Sequence, residues 1–131
     1  MYKILFLLMF VFASPNVIAE WTAIQWSHED GGLTLYVDYT TIRKEGDKVR
    51  MLSLVDFEVV DNKEIDLFSS RAQNEYDCKT KKIRQLFYAL YSGSMGKGKM
   101  EHSNSEYLKW LTIKPGSMEE AMWVAACGGK T

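Results

Sequence analysis

Apolar and polar residues alternate along two stretches of the chain between residues 33 and 60. In "LTLYVDY", Leu33, Leu35 and Val37 fall on one face of an extended chain. The stretch "KVRMLSLVDFEVV" repeats the pattern and places five residues on one face: Val49, Met51, Val55, Phe57 and Val59. A period of two is typical of a strand with one buried face. The sequence therefore predicts two such strands, separated by a turn at Glu45–Asp47.

A similar run, "WTAIQW", comes earlier and can place Thr22, Ile24 and Trp26 on one side. The acidic run "HEDGG" at residues 28–32 separates it from the strand that begins near Leu33. Two alternating runs around a glycine-containing turn indicate an antiparallel hairpin.

The region between residues 61 and 93 predicts three further extended segments. A turn at Asp61–Lys63 leads into a strand through Ile65–Ser70, and a second extended stretch carries Cys78. The segment "KIRQLFYALYSG", residues 82–93, fits both helical and strand spacing. Its aromatic residues and the β-rich context favour a strand.

The segment after residue 93 is predicted to hold turns, short strands and a loop. The glycines at positions 93, 96 and 98 mark a turn or bulge, and a short strand follows it. A polar loop at Ser103–Glu106 leads to a last short strand near Leu108–Ile113.

A helix is predicted in "PGSMEEAMWVAACGG", at the end of the chain. Ser117 is the expected N-cap, and Glu120 three residues later completes a capping box. Gly128 and Gly129 supply the stop. The expected apolar stripe consists of Met118, Met122, Ala125 and Ala126. A helix this short is marginal alone, so it must pack on the sheet.

The first 19 residues have the pattern of a secretory signal peptide. Lys3 precedes an apolar run from Ile4 to Ala13, and "VIA" permits cleavage after Ala19. The predicted domain is therefore 20–131, exported to the periplasm or the outer surface. The cut is followed by Glu20 rather than cysteine, which predicts a protein that is not a lipoprotein. No second long apolar segment follows, so no transmembrane segment is expected in the mature chain.

The chain contains two cysteines, Cys78 and Cys127. In an oxidising compartment, two cysteines in a small domain predict a disulfide. A catalytic thiol and a zinc site with His28 and His102 are alternatives, but neither has a recognisable motif or ligand spacing. The disulfide is favoured, and it would tie the terminal helix to a strand.

Composition and charge exclude several classes of function. The chain is 47% hydrophobic and 25% charged with a net charge of −1, as in a folded globular domain. This charge gives no general attraction to nucleic acid or anionic lipid. The run "GSMGKGK" lacks the spacing of a phosphate-binding loop. We expect no cofactor, no metal site, no catalytic residue and no nucleic-acid partner.

A set of basic residues interleaved with aromatic ones is the candidate contact surface for a partner. It consists of Lys79, Lys81, Lys82, Arg84, Lys97 and Lys99. Such a patch can attract an acidic protein partner. The alternative is a solvated strand face whose lysines protect a sheet edge.

Three ordered segments resemble the surface-adhesin protein E family of Gram-negative bacteria. They are "LYVDYTTIRKEGDKVRM", "SSRAQNEYDCKTKKIRQLFYALYSGSMGKG" and "WLTIKPGSMEEAMWVAAC". The resemblance implies a small antiparallel sheet that carries a C-terminal helix tethered by the disulfide. It also implies binding to host matrix or plasma proteins such as vitronectin, laminin and plasminogen.

Together these patterns predict an α+β fold with about six antiparallel strands and one C-terminal helix tethered by a disulfide. The leading functional hypothesis is an exported, non-enzymatic, adhesin-like binding protein, as a monomer or a homodimer. The alternative is a periplasmic envelope protein with a housekeeping role and an envelope component as partner.

Overall fold

The computed structural model describes residues 18–27, 32–57 and 68–128. Within these ranges the chain forms seven strands and one α-helix. They are β1 (Thr22–Ser27), β2 (Leu33–Glu45), β3 (Lys48–Phe57), β4 (Ser69–Asp77), β5 (Lys82–Tyr91), β6 (Met100–Asn104), β7 (Leu111–Thr112) and α1 (Met118–Cys127).

The strands form one antiparallel sheet in the order β1-β2-β3-β4-β5-β6, so each neighbour in space is also a neighbour in sequence. The outer edge of β5 is shared: β6 pairs with its end at residues 88–91, and β7 pairs with Lys82 and Ile83. Between them, the N–H of Leu108 donates to the carbonyl of Gln85 at 3.0 Å. The predicted fold class is confirmed, with six long or medium strands and the two-residue β7.

The prediction was wrong about Cys78, which was expected within an extended stretch. The strand β4 pairs with β3 without interruption from Ser69 to Asp77 and ends just before that residue. Cys78 lies in the turn that follows. The expected turn at Asp61–Lys63, the expected strand start at Ile65 and most of the "HEDGG" turn lie outside the described residues.

The alternating face of β2 and β3 forms the core beneath α1. Leu35, Val37, Val49 and Met51 are all buried there, as predicted. Phe57, on the same predicted face, is 40% exposed. A ten-residue helix is about 15 Å long, whereas a ten-residue strand extends over about 33 Å. The helix therefore cannot cover the full length of β3.

The ends of α1 are capped largely as the sequence predicts. The hydroxyl of Ser117 accepts a hydrogen bond from the N–H of Glu120 at 3.2 Å. The Glu120 carboxylate accepts from the N–H of Gly116 rather than of Ser117, so the reciprocal bond lies one residue earlier than in a capping box. Gly128 ends the helix with a φ of 75°, a conformation that favours glycine.

The buried stripe of α1 is centred one residue away from its predicted position. Met122, Trp123 and Ala126 are buried, while Met118 and Ala125 are half-buried at the margins. The indole N–H of Trp123 donates to the carbonyl of Asp77 at 3.0 Å. Trp123 was missing from the predicted stripe because its large ring faces the end of β4, which the helical period alone does not reveal.

The predicted disulfide between Cys78 and Cys127 is confirmed, with the two Cα atoms 5.7 Å apart. It joins the turn after β4 to the last residue of α1. Neither cysteine is free in the structure, so the catalytic-thiol and zinc alternatives have no thiolate to use.

In the described part of the chain, no helix has the length and apolar character needed to cross a membrane. The predicted signal peptide falls almost entirely in residues 1–17, which lie outside the described residues. It therefore stays a prediction.

Candidate functional site

The sheet has a polar hollow of about 410 Å³ at the β2–β3 hairpin. We call it the basic hollow; it is lined by Arg43, Lys44, Glu45, Lys48, Arg50, Gln73 and Glu75. Register places Arg50 opposite Glu75, one residue out of phase with the buried Val49 and Tyr76. Because successive side chains point to opposite faces, the basic hollow lies on the face away from α1.

An irregular segment in β2 decides which side chains reach this face. From Asp38 to Arg43 the strand β2 advances five residues, while its partner β3 advances two, from Leu52 to Arg50. The difference is an odd number, so the alternation of faces changes across residues 39–42. Arg43 consequently stands opposite Arg50 and lines the basic hollow.

Two rows of alternating charge cross β3, β4 and β5 beside the hollow. In the first row Glu75 lies between Arg50 and Arg84, with nitrogen–oxygen distances of 3.0 and 2.6 Å. The register places Lys48, Asp77 and Lys82 in a second, parallel row. Paired residues on neighbouring strands share a face, so these side chains form one charged surface.

Two aromatic residues of the loop between β6 and β7 lie over the first charged row. The guanidinium carbon of Arg84 is 4.8 Å from the ring centre of Trp110 and 5.1 Å from that of Tyr107. The ammonium of Lys48 lies 5.9 Å from the Trp110 ring. These cation–π contacts hold the loop against the sheet. Tyr107 keeps 57% of its surface exposed and is available to a partner.

The carboxylate of Glu75 is the electrostatic centre of this surface. Glu75 is only 5% exposed. Burial acts to raise its pKa, but the hydrogen bonds and charges of Arg50 and Arg84 outweigh burial, so the pKa lies below its usual value. The N–H groups of Thr80 and Lys79 likewise lower the pKa of Asp77.

We expect Glu75→Gln to lower the free energy of unfolding at pH 7. The loss should be about 1–2 kcal/mol. This is at the low end for a hydrogen-bonded ion pair, because the Arg50 side chain is partly exposed to water. A carboxylate whose pKa is lowered by folding stabilises the fold above its unfolded pKa of about 4.3. That stability is lost as the pH falls through the lower folded pKa.

Urea denaturation of wild type and Glu75→Gln between pH 3 and pH 7 tests this, with exposed Glu106→Gln as control. The difference between wild type and Glu75→Gln should shrink as the medium becomes acidic. A difference that is independent of pH would contradict the ionised bridge.

The structure divides the six sequence-predicted contact residues into separate groups. Lys82 and Arg84 lie on the charged surface beside the basic hollow, and Lys79 is exposed in the turn after β4. Lys81 instead faces α1. Its ammonium is 2.6 Å from the Glu120 carboxylate and 5.2 Å from the Trp123 ring.

Lys97 and Lys99 follow the other end of β5, which is nearer β6. Ten residues of extended strand span about 33 Å. The six residues therefore do not form one continuous patch.

Four basic residues of the hollow were not among the sequence-predicted candidates: Arg43, Lys44, Lys48 and Arg50. A signal was present, because "RKEGDKVR" concentrates them around one tight turn. The sequence contains no comparable signal for Tyr107 and Trp110 as part of this surface. Their position beside Arg84 depends on how the loop between β6 and β7 folds back along β5.

His102 and the acidic residues are the remaining candidates for metal binding in the described part of the chain. His102 is exposed on β6, and its ring centre is 5.6 Å from that of Tyr88. Across residues 18–27, 32–57 and 68–128, no group of three His, Cys, Asp or Glu side chains could hold a metal ion. His28 lies outside those ranges. The arrangement beside the hollow is suited to binding carboxylates.

Comparison with known proteins gives a family and a fold. Residues 21–128 match the sequence profile of the family described as surface-adhesin protein E. Among curated protein sequences, none matches this chain.

Several solved structures of protein E from Haemophilus influenzae have the same fold. The crystal form II structure has a TM-score of 0.61 at 14% identity, covering 88% of this chain and 94% of that chain. Protein E from non-typeable Haemophilus influenzae has a TM-score of 0.56 at 16% identity, with coverages of 88% and 83%. A further protein E structure gives 0.57 at 17% identity, with coverages of 83% and 87%.

Proposed function

Because the chain belongs to the surface-adhesin protein E family, we propose that it is an exported, non-enzymatic binding protein that recognises an acidic surface of a partner protein. The contact surface is the basic hollow together with the exposed edge of the Tyr107–Trp110 loop. The observation that carries this proposal is the excess of cations on a face that α1 leaves uncovered.

The charge balance of the hollow supports an acidic partner. Its lining contains four basic and two acidic residues, and the register places three of the basic side chains, Arg43, Lys48 and Arg50, on this face. Of the two carboxylates, Glu75 is already engaged by Arg50 and Arg84. Arg43 and Lys48 are both exposed on this face, and their charges can attract an approaching carboxylate.

The aromatic loop adds the second property of a protein-binding surface. Protein interfaces are enriched in tyrosine, tryptophan and arginine. Here Tyr107 and Trp110 stack on Arg84, so the three side chains are held in place before a partner arrives. A preformed contact costs less conformational entropy on binding.

The proposed location is outside the cytoplasm, after removal of residues 1–19 as a signal peptide. Glu20 stands at the position that a lipidated cysteine would need, so retention through a lipid anchor is not proposed. Host matrix or plasma proteins are the proposed partners, with vitronectin, laminin and plasminogen as the first probes. An envelope component is the partner in the alternative, periplasmic role.

Charge reversal tests the binding surface. We expect Arg43→Glu with Lys48→Glu to weaken binding to an immobilised host protein by at least about tenfold, or ~1.4 kcal/mol. The matched control is Lys97→Glu with Lys99→Glu, which makes the same change in net charge at the other end of β5. Equal losses in the two pairs would indicate a general charge effect and would refute the hollow as the contact surface.

Protease treatment of intact cells tests the location, with a periplasmic marker as control. Cleavage of the protein while the marker survives supports display and the host-protein role. Protection of both until the outer membrane is opened would reject the host-protein role in favour of an envelope partner.

A further inference from the structure

The backbone nitrogen of Glu20 donates to a buried carboxylate. It lies 3.1 Å from Oδ2 of Asp38, and Asp38 is only 2% exposed. The pairing of β1 with β2 explains the approach. Thr22 stands opposite Val37, so the residues just before Thr22 run antiparallel past Asp38.

The same carboxylate organises the irregular segment of β2. Oδ1 of Asp38 accepts the N–H of Thr40 at 2.9 Å and also the Thr40 hydroxyl. The carbonyl of Asp38 accepts the Thr41 hydroxyl, which in turn accepts the N–H of Leu52 at 2.9 Å. Asp38 therefore fixes residues 39–42, the segment that turns Arg43 toward the basic hollow.

Glu20 is the first residue after the predicted signal-peptide cut. In the uncut chain its nitrogen is an amide with one proton and no charge. After hydrolysis of the Ala19–Glu20 bond it becomes an α-ammonium with three protons and a positive charge. A nearby counter-charge stabilises a buried carboxylate, and charge-assisted hydrogen bonds are stronger than neutral ones.

We propose that cleavage after Ala19 creates an ion pair between the new α-ammonium of Glu20 and the carboxylate of Asp38. Removal of the leader thus completes the buried polar cluster of β2 and stabilises the exported form over the precursor. The inference depends on the predicted cleavage position and not on the identity of any partner.

The position of the cut is specific in this arrangement. One additional residue would move the ammonium by about 3.3 Å along an extended chain. The added residue would not be excluded sterically, because the chain at residues 18–20 is exposed. A chain that begins at Ala19 can therefore fold, but its nitrogen at Glu20 is again a neutral amide.

A double-mutant cycle measures the ion pair. Chains that begin at Glu20 and at Ala19 are prepared by removal of a cleavable tag, each with Asp38 and with Asp38→Asn. With Asp38, we expect the added residue to lower the folding equilibrium constant about tenfold, or ~1.4 kcal/mol. With Asp38→Asn, the added residue should have little effect.

An equal effect of the added residue in both backgrounds, or none in either, would overturn the proposal. The comparison of the two wild-type chains, beginning at Glu20 and at Ala19, keeps Asp38. That comparison is therefore informative even if Asp38→Asn folds poorly.

Two further measurements use the protein as exported. N-terminal sequencing of the mature protein should read Glu20 first, and any other start would overturn the proposal. At neutral pH, an amine-reactive reagent should label the α-amino group at least tenfold more slowly than it labels that of the chain beginning at Ala19. Equal rates would show that the amino group is free in water. Neither result depends on partner binding, so the proposed function can fail independently.

Discussion

Replacement of Cys78 and Cys127 by serine is expected to lower the free energy of unfolding by about 2–4 kcal/mol. The disulfide joins residues separated by 49 positions, so its loss frees a long loop in the unfolded chain. It also leaves α1 without its covalent link to the end of β4. For a domain whose total stability is about 5–15 kcal/mol, this is a large fraction.

Urea denaturation of the double variant, followed by circular dichroism, measures the effect. Wild-type protein treated with a reductant is the matched control, because it loses the same link without any change of sequence. Both should unfold at lower urea than the oxidised protein. A double variant with an unchanged midpoint would mean that packing alone holds α1 on the sheet.

Replacement of Trp123 by alanine should cost about 3–5 kcal/mol. Trp123 is 3% exposed and belongs to the core cluster between α1 and the sheet. Its loss opens a cavity, leaves the carbonyl of Asp77 without the indole N–H, and removes the ring beneath the Lys81 ammonium. Several stabilising contacts disappear together.

Trp123→Phe separates these contributions. It keeps an aromatic ring in the core but removes the indole hydrogen bond, so we expect a smaller loss than for alanine, about 1–2 kcal/mol. Val124→Ala is the control on the same helix, because Val124 is exposed and should change stability by less than about 0.5 kcal/mol. If Trp123→Ala destabilised no more than Val124→Ala, the assigned core contact would be wrong.

Local rules were sufficient for much of the fold. The alternation at Leu35, Val37, Val49 and Met51 identified the buried face of two strands, because a side-chain period of two is a property of any extended chain. Ser117 marked the helix start for an equally local reason: its hydroxyl meets an N–H three residues away.

The β-rich context correctly assigned residues 82–91 to a strand, although their spacing also fits a helix. This assignment already depended on the neighbours of the segment. For such a segment, the period of apolar residues does not distinguish a strand from a helix. A strand is stabilised by its partner strands and by burial, which the segment's own sequence does not show.

The candidate site was only partly accessible from the sequence. Charge density singled out Lys82 and Arg84, which do lie on the charged surface, but grouped them with Lys97 and Lys99 at the other end of β5. Linear proximity does not separate the two ends of an extended strand. Glu75 was not chosen because its role exists only when Arg50 and Arg84 flank it across two strand pairs.

By itself, the sequence determined the buried faces of β2 and β3, the helix with Ser117 at its start and Gly128 at its end, the pairing of two cysteines and the family. The strand faces and the helix depend on local periodicity and local hydrogen bonds. Two cysteines permit only one intramolecular disulfide, and the family is recognised from ordered sequence segments. Only the tertiary structure decided which face Arg43 occupies, where the Tyr107–Trp110 loop lies and which nitrogen meets Asp38. Each of these depends on strand register, and register is set by contacts between residues far apart in the chain.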